Sequence, residues 1–221
     1  MKTDNIELVS YTKGEEILNV ITHFAGLFIP FFILIKFVPL CESNLFALIC
    51  ALLYAAGTAF SFISSVVYHG LKKGKSKRIM RVVDHSAIFF AVAGTVTGCV
   101  PAVFSKGSTV GAIFMLVLSW ASVILGLILT VFFFGRFKAF RMTLYILTAA
   151  LCALFGSETY FHLPVTAFIC LISGGAVLLI GCVFLRIGAK KRYIHSVFHI
   201  FIVMGLGIYC FGIYNFVYLL L

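Results

Sequence analysis

The stretch VGAIFMLVLSWASVILGLILTVFFF, residues 110–134, decides the fold, because it contains no charged residue over the full length of a membrane crossing. A helix needs about 20 mostly apolar residues to cross the hydrocarbon core of a bilayer. In lipid, the backbone groups of such a segment must pair with one another inside a helix. The stretch therefore predicts a transmembrane helix, and it is far too long for a strand of a membrane barrel.

The composition extends this interpretation to the whole chain. Of the 221 residues, 62% are hydrophobic and only 11% are charged, and the mean hydropathy is +1.16. A soluble globular domain is about half apolar and about one quarter charged. We therefore expect an all-α integral membrane protein.

Apolar windows that are broken at Pro, Gly and charge clusters divide the chain into seven predicted spans. They lie near residues 17–38, 45–70, 82–104, 110–134, 142–160, 164–185 and 194–221. The connecting segments are short, so consecutive helices should pack as antiparallel neighbours. We expect a seven-transmembrane helix bundle that forms a single domain over residues 1–221.

The basic residues predict the orientation of this bundle. All 17 Lys and Arg residues except Lys36 and Lys106 fall in the N-terminus or in the even-numbered connectors. By the positive-inside rule, the N-terminus is cytoplasmic and the C-terminus is outside. The formal net charge of +10 then reflects topology and contact with anionic lipid headgroups. This pattern favours membrane lipids as partners over nucleic acid.

Five polar residues lie near the ends of spans that this topology places on the cytoplasmic side. They are Ser65, His69, Asp84, His195 and His199. Polar side chains at such depth in a membrane are costly, so they indicate a functional site by default. His195 and His199 are four residues apart, as are Ser65 and His69, so each pair lies on one face of its helix.

Three histidines are a ligand set of catalytic zinc, because they leave a fourth position open for water. Mg²⁺ or Ca²⁺ would require more oxygen ligands. Zinc lowers the pKa of its water to about 7, and Asp84 could accept the released proton or bind the ion directly. Ser65 could donate a hydrogen bond to a reacting carbonyl or orient the water. We therefore predict His69, His195 and His199 as zinc ligands, and Asp84 and Ser65 as catalytic residues.

These residues also have simpler interpretations. Asp84 could be a carboxylate at the beginning of a helix, paired with Arg81 or Lys77. Ser65 could donate its hydroxyl to the carbonyl of Ser61 within the same helix. The three histidines could lie at headgroup level beside the basic connectors. Taken together, these interpretations require several coincidences of depth and spacing, so a shared site is preferred.

Two further histidines are not predicted as ligands. His85 points about 100° away from the preceding residue of its helix, so a hydrogen-bonded packing role is preferred. His23 belongs to a polar stripe on the first span, Glu16-x-x-Asn19-x-x-Thr22-His23. We assign His23 to hydrogen bonds between helices, with a role around the metal ligands left open.

Four motifs follow one another along nearly the whole chain. They are Glu16-x-x-Asn19-x-x-Thr22-His23, Ser65-x-x-Tyr68-His69, Arg81-x-x-Asp84-His85-Ser86-x-Ile88-Phe89 followed by Ala93-Gly94-Thr95, and His195-x-x-Phe198-His199. Their combination resembles the hemolysin III proteins, bacterial relatives of the progestin and adiponectin receptors. The resemblance implies seven helices in a bacterial inner or plasma membrane, with a cytoplasmic N-terminus. It also implies a zinc ion bound by three histidines, which map onto His69, His195 and His199.

The resemblance also carries hypotheses about activity. The wider superfamily includes alkaline ceramidases, so it implies zinc-dependent hydrolysis of a lipid amide or ester, with Asp84 and Ser65 beside a zinc-associated water. Fold analogy alone does not establish a reaction. Two alternatives stay open: a receptor-like or lipid-sensing protein with a structural zinc, and a pore-forming cytolysin, which the family name suggests. The spans contain little ionisable lining at mid-depth, which argues against a pore.

Overall fold

A computed structural model of the protein describes residues 6–106, 108–155, 164–188 and 191–215. The helices are α1 (Lys13–Gly26), α2 (Phe28–Lys36), α3 (Leu45–Gly70), α4 (Lys75–Ser105), α5 (Thr109–Phe132), α6 (Lys138–Phe155), α7 (Val165–Gly188) and α8 (Ile194–Ile213). A short 3₁₀ turn, Val38–Cys41, follows α2.

Seven segments of the described chain are long and apolar enough to cross a membrane, which confirms an all-α seven-helix membrane protein. The first span, Lys13–Cys41, consists of α1, α2 and the 3₁₀ turn. It is interrupted after Gly26, where a Cβ atom would lie only 2.5 Å from the Phe62 ring of α3. The orientation indicated by the basic residues stays a prediction.

Three helices begin earlier than predicted. α1 starts at Lys13 rather than near residue 17, α4 at Lys75 rather than near residue 82, and α6 at Lys138 rather than near residue 142. The beginnings of α4 and α6 each carry one charged side chain that packs inside the protein, since Lys77 is only 2% exposed and Arg141 only 6%. Hydropathy therefore located the apolar part of each span and missed its polar first turns. The predicted ends near residues 160 and 221 lie outside the described residues.

Helices that are adjacent in sequence form the most extensive contacts, namely α3 with α4, α7 with α8 and α4 with α5. α3 and α4 approach closely at Gly57, where a Cβ atom would lie 2.3 Å from the carbonyl oxygen of Phe90. α1 packs on both α3 and α8. It therefore connects the second span to the last one.

The two ends of the bundle differ in chemistry. At one end, here called the site end, α1, α4 and α8 begin and α3 terminates, and many buried side chains are polar. At the opposite end, here called the far end, the core is apolar. Its fully buried members include Ile33, Phe37, Cys41, Ala47, Ala51 and Tyr54. All five residues predicted for the functional site belong to the site end.

Candidate metal centre

Three histidines from two helices converge at the site end. His69 lies in the last turn of α3, and His195 and His199 lie in the first two turns of α8. Each offers one ring nitrogen, and the three nitrogens lie within 4.8 Å of one another. Two ligand atoms about 2 Å from one ion are at most about 4 Å apart. Small rotations of the rings would therefore bring all three nitrogens to bonding distance.

The ring nitrogens fit a metal ion better than they fit one another. Nε2 of His195 faces Nε2 of His199 at 2.8 Å. Two neutral imidazoles in this arrangement must share a proton or hold a cation between them. Nε2 of His69 is buried and has no hydrogen-bond partner among the described residues. Such an atom costs about 1–3 kcal/mol, and a borderline cation such as Zn²⁺ would satisfy it.

Asp84 and Ser65 lie beside the histidines. The Asp84 carboxyl interacts electrostatically with His69 and lies close to the Ser65 hydroxyl. Ser65 is 1% exposed, and its hydroxyl forms no hydrogen bond of regular geometry within the described residues. The hydroxyl that donates to the carbonyl of Ser61 is that of Ser64, at 3.0 Å. The structure thus brings the five predicted residues together, while their individual roles stay predictions.

The simpler interpretation of Asp84 disagrees with the structure in two ways. α4 begins at Lys75, so Asp84 lies more than two turns inside the helix rather than at its first residues. Lys77, one of its two suggested partners, forms its ion pair with Glu16. Asp84 is therefore not a carboxylate at a helix N-terminus.

A carboxylate on α1 contacts the ring of His69. Oε2 of Glu16 accepts a hydrogen bond from Nδ1 of His69 at 2.6 Å, and Oε1 accepts one from Nζ of Lys77 at 2.7 Å. Lys77 was predicted to be a topology charge or a partner of Asp84, so this contact was not predicted. The polar stripe of α1 was the only signal in the sequence that could have pointed to Glu16.

Asn19 and His23 continue along the same face of α1. The Asn19 amide lies 3.2 Å from Nδ1 of His69 and accepts a hydrogen bond from the Ser196 hydroxyl at 2.6 Å. His23 was predicted to form hydrogen bonds between helices. That prediction is wrong for the described chain, in which both of its buried ring nitrogens lack a partner. Its ring packs edge-on against His199, with centroids 4.1 Å apart.

The segment before α1, residues 6–12, covers the site and is called the N-terminal strap below. The ring of Tyr11 stacks on that of His195, with centroids 5.1 Å apart and planes inclined by 18°. Ile6 is buried in a small apolar cluster, and Arg81 donates to a backbone carbonyl of the strap. Burial raises the pKa of the Tyr11 phenol, so this ring is neutral near pH 7. No motif in the sequence indicated this cover.

His85 is not part of the histidine cluster. Its ring packs edge-on against Phe134, which follows α5, with centroids 5.2 Å apart. Within the described residues, the group of His, Cys, Asp and Glu side chains that could hold an ion consists of His69, His195 and His199.

The fold and the site together define a class: a seven-helix membrane protein with a histidine cluster at one end that could hold a metal ion. The sequence model of one family, described as "Haemolysin-III related", matches residues 11–210, a range that includes all three histidines. The chain belongs to this haemolysin-III related family, and it is a multi-pass protein of the cell membrane.

Two curated relatives are similar to the chain over nearly their full length. The Hemolysin-3 homolog of Bacillus subtilis (strain 168) is 27% identical over 199 residues, which cover 88% of this chain and 91% of the relative. Hemolysin-3 of Bacillus cereus is 26% identical over 205 residues, which cover 92% of each chain. The similarity therefore includes the whole bundle rather than a single motif.

Proposed function

We propose that the chain is a zinc-dependent hydrolase that cleaves a lipid amide or ester at the membrane. One observation carries this proposal: three ring nitrogens cluster at the site end, and the Asp84 carboxyl interacts with one of these rings, that of His69, and with the Ser65 hydroxyl. A structural zinc is usually enclosed by four protein ligands, whereas three histidines leave one position open for a reactant. The donor set therefore favours turnover over a closed structural site.

Each residue has a distinct part in the proposed reaction. Zinc held by His69, His195 and His199 would polarise a substrate carbonyl and acidify water near neutral pH. Asp84 would accept the proton of the attacking water and return it to the leaving group. Ser65 would donate its hydroxyl to the carbonyl oxygen as negative charge develops there.

The surroundings of the centre support a lipid as the substrate. The ligand-bearing helices α3 and α8 are membrane spans, and the outward face of α3 near His69 carries exposed apolar side chains such as Ile63 and Val67. The N-terminal strap packs over the site beyond the helix ends. An acyl chain would therefore reach the centre from the bilayer more readily than a large polar substrate would reach it from solvent.

The reaction can be tested with purified, zinc-loaded protein in lipid nanodiscs. Ceramides, other acyl amides and phospholipids are supplied separately, and released fatty acid is measured by mass spectrometry. We expect release from at least one class, and Asp84→Asn should lower it by at least about 100-fold while zinc stays bound. Glu42→Gln removes an exposed carboxyl at the far end and serves as the matched control. Undiminished release by Asp84→Asn would contradict the proposed mechanism.

Metal binding is tested separately from turnover. Metal analysis of the wild type should give about one zinc per chain, and the His195→Ala, His199→Ala double variant should give none. Bound zinc together with a silent substrate panel would support the alternative, a structural zinc in a receptor-like or lipid-sensing protein.

Membrane lysis is the third candidate function, after a structural zinc, and it is suggested because both curated relatives carry the name hemolysin-3. Leakage of dye from liposomes that persists after replacement of all three histidines would support a pore. We rank it last because the fully buried side chains of Phe37 and Tyr54 occupy the bundle interior outside the site end. A channel through a single bundle would need that space.

A further inference from the structure

We propose that Glu16 is the positioning residue of the metal centre: its carboxylate orients the His69 ring so that Nε2 faces the ion, and Lys77 anchors that carboxylate. This inference rests on the proposed metal site. It concerns a side chain on α1, a helix that contributes none of the three candidate ligands.

The hydrogen bond between Glu16 and His69 selects one tautomer of the ring. An ionised carboxylate only accepts hydrogen bonds, so Nδ1 of His69, at 2.6 Å, must carry the proton. In the neutral ring, Nε2 then presents a free lone pair. This is the atom that is buried without a partner among the described residues. Histidines that bind metals almost always donate their other N–H, often to a carboxylate.

Lys77 anchors the second oxygen of the carboxylate. Its Nζ lies 2.7 Å from Oε1 of Glu16 and donates to the carbonyl oxygen of Leu71 at 2.8 Å. A third, longer contact of 3.4 Å reaches the carbonyl oxygen of His69. These carbonyls belong to the C-terminal end of α3, where the helix dipole favours a cation. Because Lys77 is buried among these acceptors, it limits the directions that the Glu16 carboxylate can take.

Asn19 extends this polar face of α1 toward α8. Its Oδ1 accepts the hydroxyl of Ser196 at 2.6 Å. Its amide nitrogen lies 3.2 Å from Nδ1 of His69, and since both nitrogens are donors in this tautomer, the contact is not a hydrogen bond. Ser196 directly follows His195 on α8. The polar face of α1 therefore connects the two ligand-bearing helices while leaving the ligand nitrogens themselves free.

Glu15 is a matched control at the neighbouring position. Its carboxylate is more buried than that of Glu16, and it accepts hydrogen bonds from the Thr12 hydroxyl at 2.8 Å and from the backbone N–H of Tyr193 at 2.9 Å. It also completes the capping box at the start of α1. Glu15→Gln therefore tests the loss of a buried carboxylate from α1, and Glu16→Gln tests the loss of the carboxylate that contacts His69.

Zinc affinity is measured by competition with a chromophoric chelator, with the full chain in nanodiscs. We expect Glu16→Gln to weaken zinc binding by about 10-fold to 100-fold, the usual effect of losing such a partner. Glu15→Gln should stay close to the wild type. Glu16→Asp keeps the charge at shorter reach and should recover part of the loss, and Lys77→Met should weaken binding in the same direction as Glu16→Gln. The unfolding temperatures of the metal-free proteins show whether each variant is folded.

Cobalt(II) provides a readout that a purely structural role would not change. With Co²⁺ in place of zinc, the visible absorption bands report on the ligand geometry. Glu16→Gln should shift these bands, whereas Glu15→Gln should leave them unchanged. Wild-type zinc affinity and a wild-type cobalt spectrum in Glu16→Gln would overturn the inference while leaving the zinc site intact. A wild type that binds no zinc would instead overturn the proposed function.

Discussion

Different interactions hold the two ends of the bundle together. At the site end, side-chain hydrogen bonds join α1 to α3 and α8, and the partly buried ion pair between Glu16 and Lys77 joins it to α4. At the far end, apolar contacts around Phe37 and Tyr54 join neighbouring helices. Apolar burial stabilises without regard to direction, whereas hydrogen bonds fix distances and angles. The far end can therefore supply stability while the site end fixes the positions of functional groups.

The site end also contains polar atoms whose hydrogen-bonding capacity is unused. Within the described residues, buried ring nitrogens of His23, His69 and His199 and the hydroxyl of Ser65 lack partners. Each unsatisfied group costs about 1–3 kcal/mol when nothing is bound. A membrane protein tolerates this cost where a ligand or a metal satisfies the groups. When nothing is bound, apolar burial at the far end offsets the cost.

The largest expected effect concerns the close contact of α3 and α4. A Cβ atom at Gly57 would lie 2.3 Å from the carbonyl oxygen of Phe90, a backbone atom that cannot rotate away. Gly57→Val should force the helices apart and destabilise the bundle by about 3 kcal/mol or more. Thermal unfolding in detergent measures this. The control is Gly207→Ala, because a Cβ atom at Gly207 meets nothing within 4 Å. Equal unfolding temperatures for the two variants would mean that the close contact at Gly57 does not hold α3 and α4 together.

The second prediction compares two adjacent serines of α3. Ser65 faces Asp84 without a regular hydrogen bond in the described chain, whereas Ser64 donates to the carbonyl of Ser61. Removal of a hydroxyl that stabilises developing charge typically lowers the rate by about 100-fold or more. Ser65→Ala should therefore slow fatty acid release by about that factor, and Ser64→Ala should not. Equal rates for the two variants would remove Ser65 from the proposed reaction.

A smaller effect is expected where α1 is linked to α8. Ser196→Ala removes the hydrogen bond to Asn19, which is worth about 1 kcal/mol and corresponds to about a fivefold loss of zinc affinity. Ser119 is also buried, but its hydroxyl donates to the carbonyl of Leu116 in its own helix. Ser119→Ala should therefore leave zinc affinity unchanged. If chelator competition gives the same affinity for both variants, the link between the helices does not contribute to the metal site.

The smallest effect is expected at the cover of the site. Tyr11→Ala removes the ring that stacks on His195, so a membrane-impermeant chelator should extract zinc a few times faster. Tyr11→Phe retains the stacked ring and should behave like the wild type. Extraction rates that do not differ between the alanine and phenylalanine variants would show that the strap does not limit access to the ion.

The fold could be predicted because hydropathy and helix length are local properties. The fourth span was predicted for residues 110–134 and is found at Thr109–Phe132. The start of α4 could not be predicted in this way, since residues 75–81 are strongly basic and polar. Two of their charged side chains have partners far away in the chain: Lys77 pairs with Glu16, and Arg81 donates to the backbone carbonyl of Glu7. Such contacts depend on tertiary structure rather than on the hydropathy of a window.

For the candidate site, the cluster of three histidines was predicted, but the side chains around it were not. The spacing of His195 and His199, and the position of His69 at the end of its span, were enough to bring these three residues together. The second layer of contacts was not predicted, because no spacing rule connects Glu16 with Lys77 across two helices. The role assigned to His23 was wrong for the same reason: its neighbours, Phe62 and His199, come from distant parts of the chain.

The position of Lys77 affects how membrane topology can be studied in this protein. It is one of the positive charges from which a cytoplasmic connector is predicted, yet its ammonium group is enclosed between the end of α3 and a carboxylate of α1. Charge-reversal experiments on this connector that included position 77 would change the insertion signal and break the ion pair with Glu16 at the same time. Substitutions restricted to the exposed Lys72 and Lys75 would separate insertion signals from the integrity of the histidine cluster.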